Sequence, residues 1–322
     1  MPRSRLLPLL AVATTLFLWA SAFVAIRHLG PHISPGALSL GRLVVGSVCL
    51  GVLVAVRRPT RPSRSDWPRL IAIGLLWYAV YNVALNAAET RIDAGTASIL
   101  IQVSPIIMTV LAVVFLRERP SVFAVPGLAI AFGGVVVIAL ATSDGGADRD
   151  WTGVALALLA ALAYSVSMIV QKPLMGRLPA IQVTWVACTV GAIACLPFAG
   201  DLVEATRTAP AGSLWWVVYL GVFPTAIAFT TWAFALSHMD ASSLGITTYL
   251  VPPITVLLGW LFLGEVPPAL AFVGGALCLA GVALTRRKAR VRRPPDAETA
   301  SVPAPAPTVG PEAVAPDSAE CR

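Results

Sequence analysis

The sequence predicts an all-α integral membrane protein: ten transmembrane helices in two inverted five-helix repeats. Three observations carry that expectation. First, 57% of the 322 residues are hydrophobic and 12% charged, whereas soluble domains average about 45–50% apolar and about 25% charged; the mean hydropathy is +0.81. Second, apolar runs long enough to cross about 30 Å of hydrocarbon recur along the whole chain. Third, a shift of 147 positions aligns Gly74 with Gly221, Asp93 with Asp240, Pro105 with Pro252, Phe115 with Phe262, Glu118 with Glu265, Pro120 with Pro267, Gly127 with Gly274 and Gly134 with Gly281, without a gap. That is an internal duplication.

The spans follow in order, separated by short charged or Gly/Pro-containing breaks. The first covers 6–26, after Arg3 and Arg5. Its "ASA" at 20–22 also fits a signal-peptide cleavage site, but the duplication needs five spans in each half. The second, 38–56, contains Arg42; the third, 70–88, contains Tyr78, Asn82 and Asn86; the fourth, 94–116, has Pro105 at its middle. The fifth, 122–141, closes the first half. Spans six to eight are expected at 154–170, 181–198 and 214–236. The ninth, 241–263, has Pro252 and Pro253 at its middle, and the tenth covers 269–284. The repeats thus occupy 1–142 and 152–285. The remainder, 286–322, is a cytoplasmic tail: basic "RRKARVRR", suited to anionic lipid, then a Pro/Ala-rich stretch that reads as disordered.

Five is an odd number, so the second repeat must enter the membrane from the face opposite to the first. Repeats inverted in this way are typical of secondary transporters, whose site lies near the midplane where the halves meet. Basic residues set the orientation. With the amino terminus inside, cytoplasmic segments hold Arg3, Arg5, Arg57, Arg58, Arg61, Arg64, Arg69, Arg117, Arg119, Lys172, Arg177 and the cluster from Arg286 to Arg293. The outer side has Arg27, Arg91, Arg149 and Arg207. Both termini are therefore expected in the cytoplasm. The net charge of +7 reflects this topology, and nucleic acid is not an expected partner. Lysine is used only at Lys172 and Lys288 among 23 basic residues, which suits a GC-rich genome and a bacterial cytoplasmic membrane. Cys49, Cys188, Cys195, Cys278 and Cys321 show no metal-type or redox-type spacing, and neither metal nor cofactor is expected.

A proline inside a helix removes one donor and frees the carbonyl four residues earlier. Pro105 would free Ile101, Pro252 would free Thr248, and Pro253 would free Tyr249. Such groups are tolerated at membrane depth only where protein or a watered cavity satisfies them. Equivalent prolines in both halves fit kinks facing a central cavity as well as they fit plain structural bends. Glu118 and Glu265 each stand two residues before a proline that opens the next helix, where the helix dipole favours a carboxylate; they read as structural.

Polar and aromatic side chains collect near the expected midplane. Tyr78, Asn82 and Asn86 recur every fourth residue, along one helical face. Gln102, Tyr164, Thr248 and Tyr249 join them, and Trp19 and Trp232, farther from the centre, are placed to close the ends of a cavity. Amides and hydroxyls at this depth should point inward; for Asn82, Asn86 and Gln102 helix-to-helix bonding and ligand contact are equally good explanations. Arg42 starts about one turn from the outer end of its span, where snorkelling to the interface competes with substrate contact. Gly127, Ala131 and Gly134, with Gly274, Cys278 and Gly281, put small residues along one face of spans five and ten, which suits close helix approach within a monomer or across a homodimer.

The "FLWASAFVAIR" of span one, the arginine of "GRL" in span two, and the paired "SPIIMTVLAVVFLRERP" and "VPPITVLLGWLFLGEVP" segments resemble the EamA-type branch of the drug/metabolite transporter superfamily, over roughly 6–285. The resemblance implies ten helices in two inverted repeats and a cavity lined by helices one, three, four, six, eight and nine. It also implies movement, often outward, of amino acids, related metabolites, purines or toxic compounds. Tyr164 and Ser165 stand where Trp19 and Ala20 stand in the first half, a departure at span six. An intramembrane enzyme would need nucleophile and base, or a metal set, at one depth; His28, His32 and His238 fall at span ends. A noncatalytic membrane scaffold or accessory subunit is the other alternative. The expectation is therefore a carrier of a small solute in the lipid bilayer, working by alternating access.

Overall fold

The computed structural model describes residues 3–56, 60–104, 107, 110–111, 123–141, 150–174, 177–236, 238 and 247–285. All regular structure among them is helical. In the first half lie α1 (Arg3–Leu29), α2 (Pro35–Val56), α3 (Trp67–Ile73), a π-helical segment (Gly74–Val80), α4 (Tyr81–Glu89), α5 (Ala94–Ile101) and α6 (Ala124–Ala141). The second half contains α7 (Trp151–Gln171), α8 (Ala180–Ala194), α9 (Ala199–Thr208), α10 (Ala211–Leu220), a second π-helical segment (Gly221–Ile227), α11 (Ala228–Leu236), α12 (Val251–Leu263) and α13 (Ala269–Thr285).

Local chemistry explains the ends. Pro35 opens α2 at the position where a missing N–H matters least. Asp93 caps α5 by accepting from the Thr96 N–H at 2.8 Å and the Thr96 hydroxyl at 2.5 Å. Gly264 ends α12 in the left-handed region, φ +67°, with its N–H returned to Trp260 and the next N–H to Gly259, the bonding that closes a helix through a residue without Cβ.

Leu6–Leu29, Pro35–Val56, Trp67–Glu89, Trp151–Gln171 and Gly212–Trp232 are each long and apolar enough to cross a bilayer. On α2, Val44, Val48 and Val52 recur every fourth residue and stay exposed while Leu43, Leu50 and Val54 are buried. On α12, Leu257, Trp260, Leu261 and Phe262 are exposed. Apolar stripes of this extent would be a liability in water; against lipid tails they match the solvent, and this is a multi-pass membrane protein.

Two segments differ from expectation. The seventh span stops at Ala194 rather than continuing to 198, and a 3-10 turn holding Pro197 (Leu196–Phe198) leads into α9, the two arms meeting at 53°. Proline cannot continue the ladder, and Asp201, Glu204 and Arg207 on α9 leave only Ala205 buried. In the ninth span a 3-10 turn over Thr248–Leu250 leads directly into α12, so Pro252 and Pro253 occupy the first turn of α12 rather than the middle of a described helix. Pro105, Glu118 and the tail 286–322 lie outside the described residues.

The packing is reciprocal between the halves. α2 packs on α8, and α6 on α13, each pair joining equivalent spans. α1 packs on α11 and α12, while α7 packs on α4 and α5. The two π-helical segments begin at Gly74 and Gly221, equivalent positions of the duplication, and their surroundings match atom for atom. A Cβ on Gly74 would lie 2.6 Å from Val190 Cβ and 2.8 Å from the Ala187 carbonyl; one on Gly221 would lie 2.5 Å from Val45 Cβ and 2.8 Å from the Arg42 carbonyl. Facing them, Gly191 would meet Tyr78 Cβ and Gly46 would meet Thr225 Cγ2. At the far contact, a Cβ on Gly134 would lie 2.5 Å from the Gly274 carbonyl. Close approach through small residues is how helices associate when lipid supplies no hydrophobic drive.

Candidate functional site

The π-helical segments shape the centre. Pro224 lacks the N–H that the Leu220 carbonyl would receive in an α-helix, and the Thr225 hydroxyl donates to that carbonyl instead, at 2.9 Å. In the first segment the Asn82 amide donates to the carbonyls of Tyr78 at 2.9 Å and Trp77 at 3.2 Å. Local widening of this kind re-aims side chains and is frequent at functional sites. Between the two segments lies a cavity of about 200 Å³, below the range of about 300–1,000 Å³ common for drug-sized ligands.

Its walls come from many elements. α1 contributes Trp19, Phe23 and Ile26, α2 contributes Arg42 and Leu43, and the first π-helical segment contributes Trp77 and Tyr78. Tyr81, Asn82 and Leu85 line it from α4, Ser98 and Ile101 from α5, and Gln102 and Ser104 just beyond. Tyr164, Pro224, Thr225, Phe229, Trp232, Thr248 and Val251 complete the lining from the second half. Much of this wall is aromatic: Trp77 lies 5.3 Å from Tyr164 and 5.1 Å from Phe229 between ring centroids, and Trp19 lies 5.0 Å from Trp232. Edge-on and tilted contacts of this spacing stabilise one another beyond their buried area.

Seven of the residues singled out in the sequence meet here: Trp19, Tyr78, Asn82, Gln102, Tyr164, Trp232 and Thr248. Trp19 and Trp232 form one wall rather than closing opposite ends. Asn86 is directed elsewhere, its amide donating to the Ser39 hydroxyl at 2.9 Å and the Pro35 carbonyl at 3.2 Å, which ties α4 to α2. The backbone of Tyr249 belongs to the 3-10 turn; its side chain lies outside the described residues. The carbonyl of Thr248, freed by Pro252, accepts from Gln102 Nε2 at 2.8 Å, so this amide satisfies a break in the other half. The Ile101 carbonyl accepts from the Ser104 hydroxyl at 2.6 Å.

Arg42 is the candidate site residue that sequence reasoning underweighted. α2 starts at Pro35, three residues before the expected boundary, so Arg42 is about two turns inside the helix rather than one. It is 8% exposed and lines the cavity. Its Nη2 reaches the Thr225 hydroxyl at a long 3.4 Å, and its buried Nε has no partner among the described residues. No carboxylate lines the cavity among the described residues. The site therefore offers one guanidinium with donors to give and a surround of aromatic faces.

The family model described as "EamA-like transporter family" matches the chain twice, over residues 6–140 and 151–287. The chain belongs to the EamA-like transporter family. Proteins similar to it include a "Probable terminal-alkyne amino-acid exporter" of Streptantibioticus cattleyicolor, 38% identical over 88% of this chain and 94% of its own length. An "Uncharacterized transporter YdfC" of Bacillus subtilis is 31% identical over 84% of this chain and 88% of its own. An "Uncharacterized transporter" of Archaeoglobus fulgidus is 29% identical over 87% and 98%. One solved crystal structure has the same fold, with a TM-score of 0.59 and 23% identity over 86% of this chain and 95% of that one. As a member of this EamA family the chain is a membrane transport protein.

Proposed function

We propose that this protein exports a small amino acid-like solute, zwitterionic and with an apolar or aromatic side chain, by alternating access between two inverted five-helix repeats at 1–142 and 152–285. The observation that carries this reading is the buried Arg42 guanidinium, with an unpartnered Nε, in a cavity walled by aromatic rings. A guanidinium binds a carboxylate with charge-assisted hydrogen bonds, and ring faces attract an ammonium. Together they fit the two charges common to amino acids, and the relative named for terminal-alkyne amino acids points to the same class.

Further contacts support the topology. Arg27, after span one, pairs with Glu265, after span nine, at 2.7 Å, and Arg177 pairs with Asp66 at 3.1 Å. The first contact joins ends assigned to the outer face and the second joins ends assigned to the cytoplasm, consistent with both termini inside a cytoplasmic membrane. The reciprocal packing about Gly74 and Gly221 supports the inverted repeat. A cavity of about 200 Å³ between the π-helical segments favours a carrier over an intramembrane enzyme or a noncatalytic scaffold, and the reading serves a monomer as well as a homodimer.

Flux in liposomes tests this reading. Purified protein should move propargylglycine, a terminal-alkyne amino acid, faster than protein-free liposomes do. Its carboxamide analogue should not compete, and Arg42→Gln should weaken apparent affinity by about tenfold to a hundredfold, the worth of a charge-assisted bond of about 1.5–3 kcal/mol. Equal competition by acid and amide would remove Arg42 from the site.

A further inference from the structure

Glu89 is the last residue of α4 and is fully buried. It falls four residues after Leu85 and seven after Asn82, both cavity-lining, so it continues their helical face one turn towards the outer end. Neither of its carboxyl oxygens has a hydrogen-bond partner among the described residues. An ionised carboxylate in that position is expensive, whereas the neutral acid is not. Ionisable groups are retained at such places mainly where they do work, proton transfer included.

The surroundings give the acid somewhere to send its charge. From α1, Arg27 donates Nη1 to the Glu89 backbone carbonyl at 2.7 Å and Nε to Glu265 Oε1 at 2.7 Å. One guanidinium thus bonds the Glu89 backbone, pairs with the Glu265 carboxylate contributed by the other half, and lies within electrostatic reach of the Glu89 carboxyl. The second oxygen of Glu265 is buried without a hydrogen bond. The remaining groups within electrostatic reach of Glu89 are Arg42 on α2, Tyr81 on its own helix and Asp93 after it. At the start of α7, which packs on α4, Asp150 is paired with Arg91 at 3.5 Å.

We propose that Glu89 is a proton-binding site, and that its titration trades Arg27 between Glu265 and Glu89. In the arrangement described, Glu89 holds its proton and Arg27 ties the ends of α1 and α4 to the segment after α12. Loss of the proton to the outer water leaves a carboxylate beside Arg27; the guanidinium turns to it, Glu265 is released, and the tie between the halves opens. Rebinding a proton reverses each step, with charge conserved throughout. The inference rests on the transport reading only for the use made of the proton, which would be the coupling ion. Binding itself needs no solute, so its failure and that of the carrier reading are told apart.

The test is an infrared pH titration of the purified full-length protein. A protonated-carboxyl stretch should fade as pH rises in the wild type and be missing from Glu89→Gln. Its pH dependence should move in Glu265→Gln, where Arg27 has lost its present carboxylate. Should Glu89→Gln not fold, Glu89→Asp serves, because a band from this residue must shift when the acid is shortened. The same titrating band in wild type and Glu89→Gln, an unmoved band in Glu89→Asp, or a Glu265→Gln titration identical to wild type would overturn the proposal.

Discussion

Alanine at Gly74 or Gly221 tests whether the reciprocal packing holds the halves together. A methyl on Gly74 would sit 2.6 Å from Val190 Cβ and Cγ1, and a methyl on Gly221 would sit 2.5 Å from Val45 Cβ. Comfortable carbon contacts are about 3.5–4.0 Å, so α8 or α2 must retreat by roughly 1 Å along a contact built from backbone and β-branched side chains. Overpacking of this kind costs about 1–3 kcal/mol, while the better helix propensity of alanine returns about 0.5–1 kcal/mol. The expected net loss is about 1 kcal/mol at either site, within a range of about 0–2.5 kcal/mol. Gly259→Ala is the control: it lies in α12 with open space around the added methyl, so only the propensity gain applies. Thermal unfolding of the detergent-purified variants reads the difference. Gly74→Ala and Gly221→Ala should each lower the melting temperature, by similar amounts, and Gly259→Ala should not. A wild-type melting temperature in either of the first two would refute the argument that these approaches limit the packing. A loss at only one would refute the equivalence of the halves.

Gln102→Leu removes the side-chain donor to the Thr248 carbonyl; it should cost about 1 kcal/mol of stability and raise solute leak if the break in span nine loosens, read by unfolding and liposome flux. On the face assigned to the cytoplasm, Asp66 is held below its usual value of 3.8 first by the Ser63 hydroxyl, at 2.6 Å, then by the Ser63 N–H and the cations Arg177 and Arg69, against desolvation. A carboxylate whose folded pKa is depressed adds stability that is present above the unfolded pKa and lost as pH falls through the folded one. Melting temperature should therefore fall more steeply below about pH 4 in wild type than in Asp66→Asn; parallel curves would mean that this contact contributes nothing.

The apolar runs and the duplication made the helices legible because length and hydrophobicity are properties of the chain alone. What escaped depended on contacts between segments or on a few residues at a boundary. The depth of Arg42 followed from where α2 begins, and the signal, Ser34 followed by Pro35, was present but outweighed by the apolar run that starts later. Asn86 sits at the right spacing from Asn82, yet helical rotation aims its amide at Ser39 and Pro35. Four-residue steps keep side chains on one side of a helix without saying which neighbour they meet. Trp77 and Phe229 read as ordinary apolar positions, and only the helices facing them turn their rings into a cavity wall. The π-helical segments have no sequence period of their own; they depend on Pro224 and on side chains such as Thr225 and Asn82 that take the displaced carbonyls.

Those carbonyls also explain why so polar a lining leaves so little for a solute. The amide of Asn82 serves the carbonyls of Trp77 and Tyr78, Gln102 serves Thr248, Thr225 serves Leu220, and the hydroxyls of Ser98 and Ser104 serve Gly95 and Ile101. Asn82, Gln102, Thr225 and Ser104 do so at helix irregularities that membrane depth would otherwise make costly, and Ser98 bonds back within α5. They shape the cavity by holding its walls open, and as donors they are engaged. Arg42 differs, because among the described residues its one acceptor is distant at 3.4 Å and its Nε has none. On the proposed function, recognition would rest on one fixed positive charge for the solute's carboxylate and on the aromatic faces around it for the ammonium and the apolar remainder. A second half that repeats the packing of the first but places Ala187 where the first has Arg42, each carbonyl meeting the glycine of the opposite π-helical segment, makes the cavity asymmetric in charge while leaving its frame symmetric. In the proposed carrier, a symmetric frame suits alternating access, and an asymmetric charge would give the solute one orientation in which to bind.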